Sequence, residues 1–317
     1  MTPETPGDRT HSAITFIKGE MTKNMGPFLY GVHEEVKASI DQHIGGCSEW
    51  TPLSAYRLGV SFNLRIFERV FVGLDLCRNN QWNEACMGYS TSAIATAAAL
   101  MKYPWWQRPL VAPFLQETSS LKTHIDALES FLRPILRARL EALQKPDFKR
   151  PNDFIQCWVE NVREKRADTY ALTTALIQLN IAGIQSTGMV LMQALFDLAS
   201  RSEYLTPLRE ELVQVMADEG GENLSPKSLA KLWKMDSFLK ESQRHIAQNI
   251  LSIYRKVMSP LTLQDGTVLP AGSYVCIPSI DPEADQSTLS RDFDGFRWAK
   301  LRQVRGNENK YLNVTTG

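Results

Sequence analysis

The sequence predicts a mainly α fold with a small β element near the C-terminus. Apolar residues recur at helical spacing through most of the chain up to residue 246, and the pattern then changes to short runs typical of strands. Strands and helices do not alternate, so a parallel sheet built from βαβ units is not predicted.

Helical segments occupy the first half of the chain. The predicted helices there cover residues 27–44, 52–72, 83–101 and 119–145. The second has an apolar face formed by Leu58, Phe62, Ile66 and Val70. Between the third and fourth lies the segment "KYPWWQRPLVAPFL", whose three prolines argue against a continuous helix.

The longest predicted helix covers residues 167–199. It is apolar nearly all round, which is typical of a helix that runs through the middle of a core. Shorter helices are predicted at 207–219 and 225–246, the second starting with an N-cap serine and a first-turn proline, Ser225-Pro226.

The β element follows these helices. Residues 249–257, "NILSIYRKV", predict a strand, and residues 261–278 predict a hairpin with a Gln-Asp-Gly turn and a second break at Pro-Ala-Gly. We expect the remaining residues, 279–317, to form loops.

Composition excludes several classes of function. The 317 residues contain 35 basic and 35 acidic side chains, so the formal net charge is zero and nucleic acid is not an expected partner. The five cysteines include no C-x-x-C pair, which argues against a zinc site or disulfide framework and favours a reducing compartment. The polar N-terminus is not a signal peptide, and no apolar run of about 18 residues predicts a membrane-spanning helix.

Two acid–arginine pairs have a spacing of three residues, Glu160–Arg163 and Glu241–Arg244, and the second lies on a predicted helix. Residues at this spacing share a helix face. Each pair is either a solvated surface ion pair, worth about 0.2–0.5 kcal/mol, or a buried pair that organises a site. The spacing alone does not decide between the two.

The central helix contains an unusual segment, "AGIQSTG", at residues 182–188. A glycine inside a helix costs about 1 kcal/mol relative to alanine, so Gly183 needs a reason. One reason is close packing of two helices. The other is a groove in which a flat ligand lies against Ala182 and Gly183, where Gln185 follows and the hydroxyls of Ser186 and Thr187 are nearby to move protons.

Two aromatic segments also have two interpretations each. "RDFDGFRW", residues 291–298, places Arg297 among aromatic rings, on which a loop arginine can stack. "YPWWQRPLVAPF" contains Tyr103, Trp105 and Trp106, which fit either a core or a patch at a membrane surface.

Taken in order, these segments resemble a cytochrome P450, most closely the fungal P450s of secondary metabolism. The resemblance covers nearly the whole chain, as a single partial domain over 1–317 that runs from the family's helix C region to just before its haem-binding cysteine loop. It makes the central helix the family's helix I, places helix K within 225–246 and makes the tryptophan-rich break the F–G loop.

The resemblance assigns a structural role to three charged residues. It implies that Glu241 is buried between Arg244 and Arg297 and ties helix K to the loop that leads to the haem. Removing one member of a buried charge cluster strands the others, at a cost of about 3–5 kcal/mol. The pair Glu160–Arg163 has no such context and is predicted to lie on the surface.

The resemblance also assigns the oxygen-activating segment. Ala182 and Gly183 would give dioxygen and the haem (heme) cofactor room to approach, and the hydroxyls of Ser186 and Thr187 would help to deliver protons. This sequence departs from the family pattern because Gln185 replaces an acid and Ser186 replaces a threonine. Glutamine does not relay a proton by ionising, so water would serve instead.

Further residues follow from the same resemblance. Residues 249–253 would line the substrate pocket. Arg255 would reach a haem propionate, with a solvated arginine as the alternative. The family's iron ligand is a cysteine in a Phe-x-x-Gly-x-x-x-Cys-x-Gly loop, and none of the five cysteines has that context. We therefore expect a chain truncated at both ends.

The predicted function is that of a haem monooxygenase acting on a hydrophobic small molecule, such as a terpenoid or indole-derived metabolite. Electrons would come from NADPH through a cytochrome P450 reductase at the cytosolic face of the endoplasmic reticulum membrane. One alternative is an inactive P450-like remnant without the haem-ligand cysteine. Another is an unrelated all-α binding protein, which would require Glu241 and Arg244 to be exposed.

Overall fold

A computed structural model describes residues 17–21, 25–161, 168–220, 224–246, 251–278 and 292–307. The mainly α fold with a small β element is confirmed. The helices are α1 (Met25–His43), α2 (Ala55–Phe71), α3 (Leu74–Cys77), α4 (Asn80–Met101), α5 (Arg108–Val111), α6 (Gln116–Ala142), α7 (Phe154–Asn161), α8 (Thr169–Ser200), α9 (Leu205–Glu219), α10 (Pro226–Lys231), α11 (Trp233–His245) and α12 (Arg297–Arg302).

The helix predicted at 225–246 is two helices, which corrects the sequence interpretation. The backbone of Leu232 leaves the helical region, with φ −77° and ψ 66°, between α10 and α11. The carboxylate of Glu211 on α9 then accepts hydrogen bonds from the backbone N–H groups of Lys234 and Met235, at 2.7 and 3.0 Å. An acid on a neighbouring helix therefore satisfies donors at the new helix start, which apolar periodicity does not reveal.

The C-terminal region also differs from the loop that the sequence predicted. Residues 279–291 and 308–317 lie outside the described residues, but α12 occupies Arg297–Arg302. Arg297 is therefore the first residue of a short helix, and not a loop arginine. Helix α7 was not predicted either, because eight residues are too few to show a clear helical period.

The β element contains two small antiparallel sheets. Strand β1 (Leu251–Lys256) pairs with β4 (Tyr274–Pro278), and β2 (Leu261–Thr262) pairs with β3 (Val268–Leu269). Gly266 lies in the β2–β3 turn with φ 87°, a backbone conformation that glycine adopts without a steric cost. The predicted hairpin is present as β2–β3. After the predicted break at Pro-Ala-Gly, β4 pairs with the preceding strand β1.

Contacts divide the chain into two compact units. Unit 1 comprises residues 1–188 and 222–227, and unit 2 comprises residues 189–221 and 228–317. The expectation of a single domain over residues 1–317 stays a prediction.

The core of unit 1 is formed by helices that pack along their apolar faces. Side chains that are almost wholly buried there include Leu64, Trp82, Leu128, Leu132, Leu172 and Leu176. They come from α2, α4, α6 and the first half of α8. Burying each leucine contributes roughly 1.5–3 kcal/mol, so this packing holds α8 in place.

Helix α8 has the length and mean hydropathy of a helix that could cross a bilayer, with 32 residues. The sequence analysis expected no membrane-spanning segment and did not identify α8 as long and apolar enough to cross a bilayer. Core helices of globular proteins share these properties, and Ala171, Leu172 and Ala175 of α8 are buried in unit 1. Length and hydropathy alone are weak grounds for a membrane span.

Unit 1 buries two glutamates in different surroundings. Glu35 on α1 is paired with Arg65, and with Arg78 at 3.0 Å, so its charge is compensated. Glu68 on α2 is 0% exposed and has neutral partners. Its carboxylate accepts from Trp82 Nε1 at 2.9 Å, from Asn180 Nδ2 at 2.7 Å and from Cys86 Sγ at 3.4 Å.

Neutral partners do not compensate the burial of the Glu68 charge. Loss of hydration raises the pKa of Glu68 to about 7, although the hydrogen bonds from Trp82, Cys86 and Asn180 oppose the shift. Among the described residues, the buried Oδ1 atom of Asn180 has no hydrogen-bond partner, and a protonated Glu68 can donate to it if the amide turns over. The carboxyl of Glu68 thus suits a neutral form that links α2, α4 and α8.

We predict that Glu68→Gln removes a pH dependence of stability. Because the pKa of Glu68 is raised from 4.5 to about 7, its contribution is fully present below about pH 4.5 and is lost as the pH rises through 7. The full shift corresponds to roughly 3 kcal/mol. Urea unfolding at about pH 5 and pH 8 should give a smaller difference for Glu68→Gln than for the wild type, and a more stable variant at pH 8.

Glu35→Gln is the matched control. It removes the charge that pairs with Arg65 and Arg78, so it should lower the free energy of unfolding at both pH values. Equal pH slopes for Glu68→Gln and the wild type would show that Glu68 is ionised in the folded protein throughout this range.

Candidate functional site

Glu241 is the centre of a charge cluster in unit 2. Its side chain is 0% exposed at the inner side of α11. Arg244, one turn further along the helix, donates from Nε to Oε2 at 3.0 Å and from Nη2 to Oε1 at 2.8 Å. This two-bond fork is the strongest geometry for an arginine–carboxylate pair.

Arg297 approaches the same carboxylate from the start of α12. Its Nε lies 3.2 and 3.3 Å from the two Glu241 oxygens, and its Nη2 lies 3.2 Å from Oε1. The backbone N–H of Asp294 donates to Oε1 at 3.1 Å. One buried acid therefore binds two guanidinium groups and one backbone amide, and the structure places together the three residues that the sequence analysis grouped.

These partners keep Glu241 ionised. Burial alone would raise the pKa of this carboxyl, but the hydrogen bonds from Arg244, the Asp294 amide and Arg297 lower it below its usual value. The carbonyl oxygen of Asp292 completes the cluster, because it accepts from Arg297 Nη2 at 2.7 Å and from Arg244 Nη2 at 3.3 Å. The segment 292–297 is thus fixed to α11 by charge-assisted bonds.

Residues that the sequence analysis missed support this attachment. Ser237 Oγ accepts from the backbone N–H of Trp298 at 3.0 Å, and Asp236 pairs with both Arg302 and Lys240. Asp236, Ser237, Lys240 and Glu241 lie at positions that recur on one face of α11. The spacing of these polar residues is the sequence signal for the attachment, since it predicts that a second element packs against this face of α11.

Gly295 explains the close approach of the segment to the aromatic residues beside it. A Cβ atom at this position would lie 2.7 Å from the ring of Tyr204 and 2.8 Å from that of Phe238. The Tyr204 hydroxyl accepts from the Gly295 N–H at 3.1 Å. A larger residue would push the segment away from α11.

The second candidate site is the turn of α8 that contains Ala182 and Ser186, in unit 1. Ala182 is exposed and Ser186 is half-buried, and the two lie on the same helix face because they are four residues apart. The Ser186 hydroxyl donates to the Ala182 carbonyl at 2.7 Å. Thr187 is exposed on a neighbouring face. This face presents a small residue beside a hydroxyl.

Gly183 and Gln185 point elsewhere. A Cβ atom on Gly183 would lie 2.0 Å from the Phe67 ring of α2, so the missing side chain lets two helices pack closely. The Gln185 amide donates to Ser90 Oγ on α4 at 2.8 Å. Gly183 therefore fits the helix-packing interpretation of "AGIQSTG", whereas Ala182 and Ser186 lie on the open face.

Other sequence-predicted residues are less informative. Arg255 is exposed and donates to the carbonyl of Tyr254 at 2.9 Å, which fits a solvated arginine. Residues 249–250 of the expected substrate segment lie outside the described residues. Arg163 also lies outside the described residues, and Glu160 pairs with the exposed Arg150 at 3.5 Å.

The small side chain of Ala182 and the Ser186 hydroxyl, on the open face of α8, fit the oxygen-binding side of a haem. Burial raises the pKa of the Cys77 thiol to about 12 and that of Cys86 well above its usual value, so both remain protonated in the core. Cys47 and Cys276 are exposed, and no cysteine stands in the expected iron-ligand loop.

The family is decided by a direct comparison. The family model for cytochrome P450 matches residues 10–311. The chain belongs to the cytochrome P450 family.

Several fungal P450s are similar to this chain. The cytochrome P450 monooxygenase AN1598 of Emericella nidulans is 32% identical over 311 residues, which is 95% of this chain and 57% of that protein. The cytochrome P450 monooxygenase BOA7 of Botryotinia fuckeliana is 34% identical, with coverage of 96% and 61%. The chain thus spans about three fifths of the length of the curated relatives it matches.

A solved structure supports the fold. Retinoic-acid-bound cyanobacterial CYP120A1 matches with a TM-score of 0.66 at 16% identity, over 92% of this chain and 60% of that protein. At this identity the likeness concerns the fold alone.

We predict that Glu241→Gln destabilises unit 2 by roughly 3–5 kcal/mol, because two guanidinium groups lose their shared anion in a mostly buried place. Urea unfolding followed by circular dichroism measures the change. Glu129→Gln, which breaks an exposed pair with Arg133 at 2.9 Å on α6, is the control and should cost at most about 0.5 kcal/mol. Similar costs for the two variants would refute the buried-cluster interpretation.

Proposed function

We propose that the gene product containing these residues is a haem monooxygenase that inserts one oxygen atom of O₂ into a hydrophobic small molecule. The overall reaction converts RH, O₂, NADPH and H⁺ into ROH, NADP⁺ and H₂O. Family membership supports the reaction class, and the open face of α8 with Ala182 and Ser186 is the structural observation that carries it. The bound haem would supply the oxygen chemistry.

Each residue of this segment has a proposed task. Ala182 leaves space beside the helix, and the Ser186 hydroxyl, held by the Ala182 carbonyl, would hold or pass a proton. Thr187 is a second exposed hydroxyl on the next face. Gln185 does not ionise and its amide is bonded to Ser90, so proton supply at this position would depend on water.

The remaining site residues act around this segment in the proposal. Glu241, Arg244 and Arg297 hold the 292–297 segment and do not take part in the chemistry. Residues 249–253 would line the substrate pocket, and Arg255, which is exposed, would be available to a propionate. A terpenoid or indole-derived substrate is proposed because the chain resembles fungal P450s of secondary metabolism.

We also propose that electrons come from NADPH through a cytochrome P450 reductase at the cytosolic face of the endoplasmic reticulum membrane. The contact with the membrane would be made by the segment that joins α4 and α5, where Trp105 and Trp106 are 79% and 56% exposed and Tyr103 is half-buried. Exposed tryptophans suit the interface of a bilayer. Flotation with liposomes should be lost in Trp105→Ser/Trp106→Ser; retention by this double variant would rule out this patch as the anchor.

A second candidate function is a P450-like protein without turnover. The two candidates differ in one respect that can be measured, which is whether a thiolate-ligated haem forms.

The test is the absorption spectrum of the reduced, CO-treated gene product purified after expression with a haem precursor. A monooxygenase should show the thiolate-haem band that gives the family its name, and Ser186→Ala should keep this band while product per NADPH falls. Transition-state proton delivery by one positioned group is commonly worth about 10²–10⁴ in rate. A protein that takes up no haem would contradict the monooxygenase proposal and support the inactive form.

A further inference from the structure

Three consecutive carbonyl groups of α8 each receive a hydrogen bond from a side chain. Ser186 Oγ donates to the Ala182 carbonyl at 2.7 Å. The Asn63 amide on α2 donates to the Gly183 carbonyl at 2.9 Å and to the Ile184 carbonyl at 2.5 Å. In an α-helix these carbonyls also accept from the N–H groups four residues further on, those of Ser186, Thr187 and Gly188.

The Asn63 amide is fixed where it lies. Asn63 is 5% exposed, so its donors have no access to bulk water. It stands between Gly59 and Phe67 on one face of α2, at intervals of four residues. Gly59 and Val60 lie against Gly188, where a Cβ would come within 3.2 Å, and Phe67 lies against Gly183.

The two glycines of α8 thus allow α2 to approach closely enough for Asn63 to reach the backbone. A donor outside the ladder draws a carbonyl away from the helix axis and weakens its helical hydrogen bond. A serine that bonds back to the preceding turn bends a helix in the same way. Residues 182–188 therefore contain carbonyl groups for which two side chains compete with the helical N–H donors.

We propose that Asn63 is a positioning residue for the oxygen-activating turn. By drawing the Gly183 and Ile184 carbonyls toward α2, it loosens the helical bonds of Thr187 and Gly188 and holds the Ser186 hydroxyl toward Ala182 on the open face. The inference rests on the proposed function in one respect, namely that Ser186 handles protons. The proposed weakening of the helical hydrogen bonds does not depend on that function.

A simple anchoring role makes the opposite prediction for the backbone. If Asn63 only tied α2 to α8, its loss would loosen α8, and amide exchange there would become faster. If Asn63 competes with the helical bonds, its loss lets the two carbonyls return to the ladder, and exchange at Thr187 and Gly188 becomes slower. The sign of the change therefore separates the two roles.

The first experiment compares hydrogen exchange in Asn63→Leu, Asn63→Gln and Asn83→Leu. Asn83 is the matched control, since it is a partly buried asparagine of unit 1 that donates to the Cys77 carbonyl at 3.0 Å and, among the described residues, makes no hydrogen bond to α8. We expect exchange of the peptide covering 185–190 to slow roughly threefold to tenfold in Asn63→Leu, as for one hydrogen bond regained. Asn63→Gln, which keeps an amide donor, should lie closer to the wild type.

The second experiment measures hydrogen peroxide released per NADPH oxidised by the haem-loaded gene product. Loss of Asn63 should leave the CO band unchanged but raise the share of hydrogen peroxide about threefold or more. When Ser186 is misplaced, more of the reduced dioxygen is released as hydrogen peroxide and less enters the product. Asn83→Leu should leave this ratio unchanged, since a general loss of folded protein lowers both rates together.

The outcomes are separable. Exchange that is unchanged or faster at 185–190 in Asn63→Leu overturns the positioning role. An unchanged peroxide share in a haem-loaded Asn63→Leu overturns its link to Ser186. A wild-type gene product that binds no haem contradicts the proposed function, and the exchange result still decides whether Asn63 shapes α8.

Discussion

A carboxylate that is removed from water must be surrounded by donors, and Glu241 meets this requirement with groups from two separate elements. Arg244 comes from its own helix, whereas Arg297 and the Asp294 amide come from the segment that starts α12. Desolvating an ion costs several kcal/mol, so the arrangement is stable only when all partners are present. The position of the 292–297 segment therefore follows from the need to compensate one buried charge.

Buried acids in this chain have two kinds of surroundings. Glu241 is paired with two arginines and its charge is retained, and Glu35 is also paired with two arginines. Glu68 is held by an indole, a thiol and an amide, and its carboxyl favours the neutral form near neutral pH. Both arrangements join elements that are distant in sequence. The Glu241 cluster is stronger above the pKa of its acid, whereas the Glu68 cluster is stronger below the pKa of its acid.

The sequence was informative where a residue pattern is local. The bounds of the long helices follow from apolar spacing, and the grouping of Glu241, Arg244 and Arg297 followed from the order of segments in the family. The sequence was less informative where a side chain on one element is the hydrogen-bond or packing partner of another element. The break at Leu232 depends on Glu211, and the packing of Gly183 depends on Phe67, which is more than 100 positions away in the chain. Asn63 was missed for the same reason, since a lone asparagine on a helix has no sequence signal until its partner carbonyls are known.

Helix α8 combines two roles on different faces. Leu172 and Leu176 anchor it in the core of unit 1, while Ala182 and Ser186 keep one face open. Gly183, which the family resemblance assigned to the haem, lies on the face that packs against Phe67 of α2. Because the two faces differ, a helix that is buried along part of its length also presents a small residue and a hydroxyl on an open face.

The most direct measurement of the central claim is a double-mutant cycle between Glu241 and Arg297. Urea unfolding of Glu241→Gln, Arg297→Leu and the double variant gives the coupling free energy between the two side chains. A buried, shared carboxylate predicts a coupling of about 1.5–3 kcal/mol, within the range of hydrogen bonds to charged groups. A coupling near zero, equal to that of the exposed pair Glu129–Arg133, would contradict it.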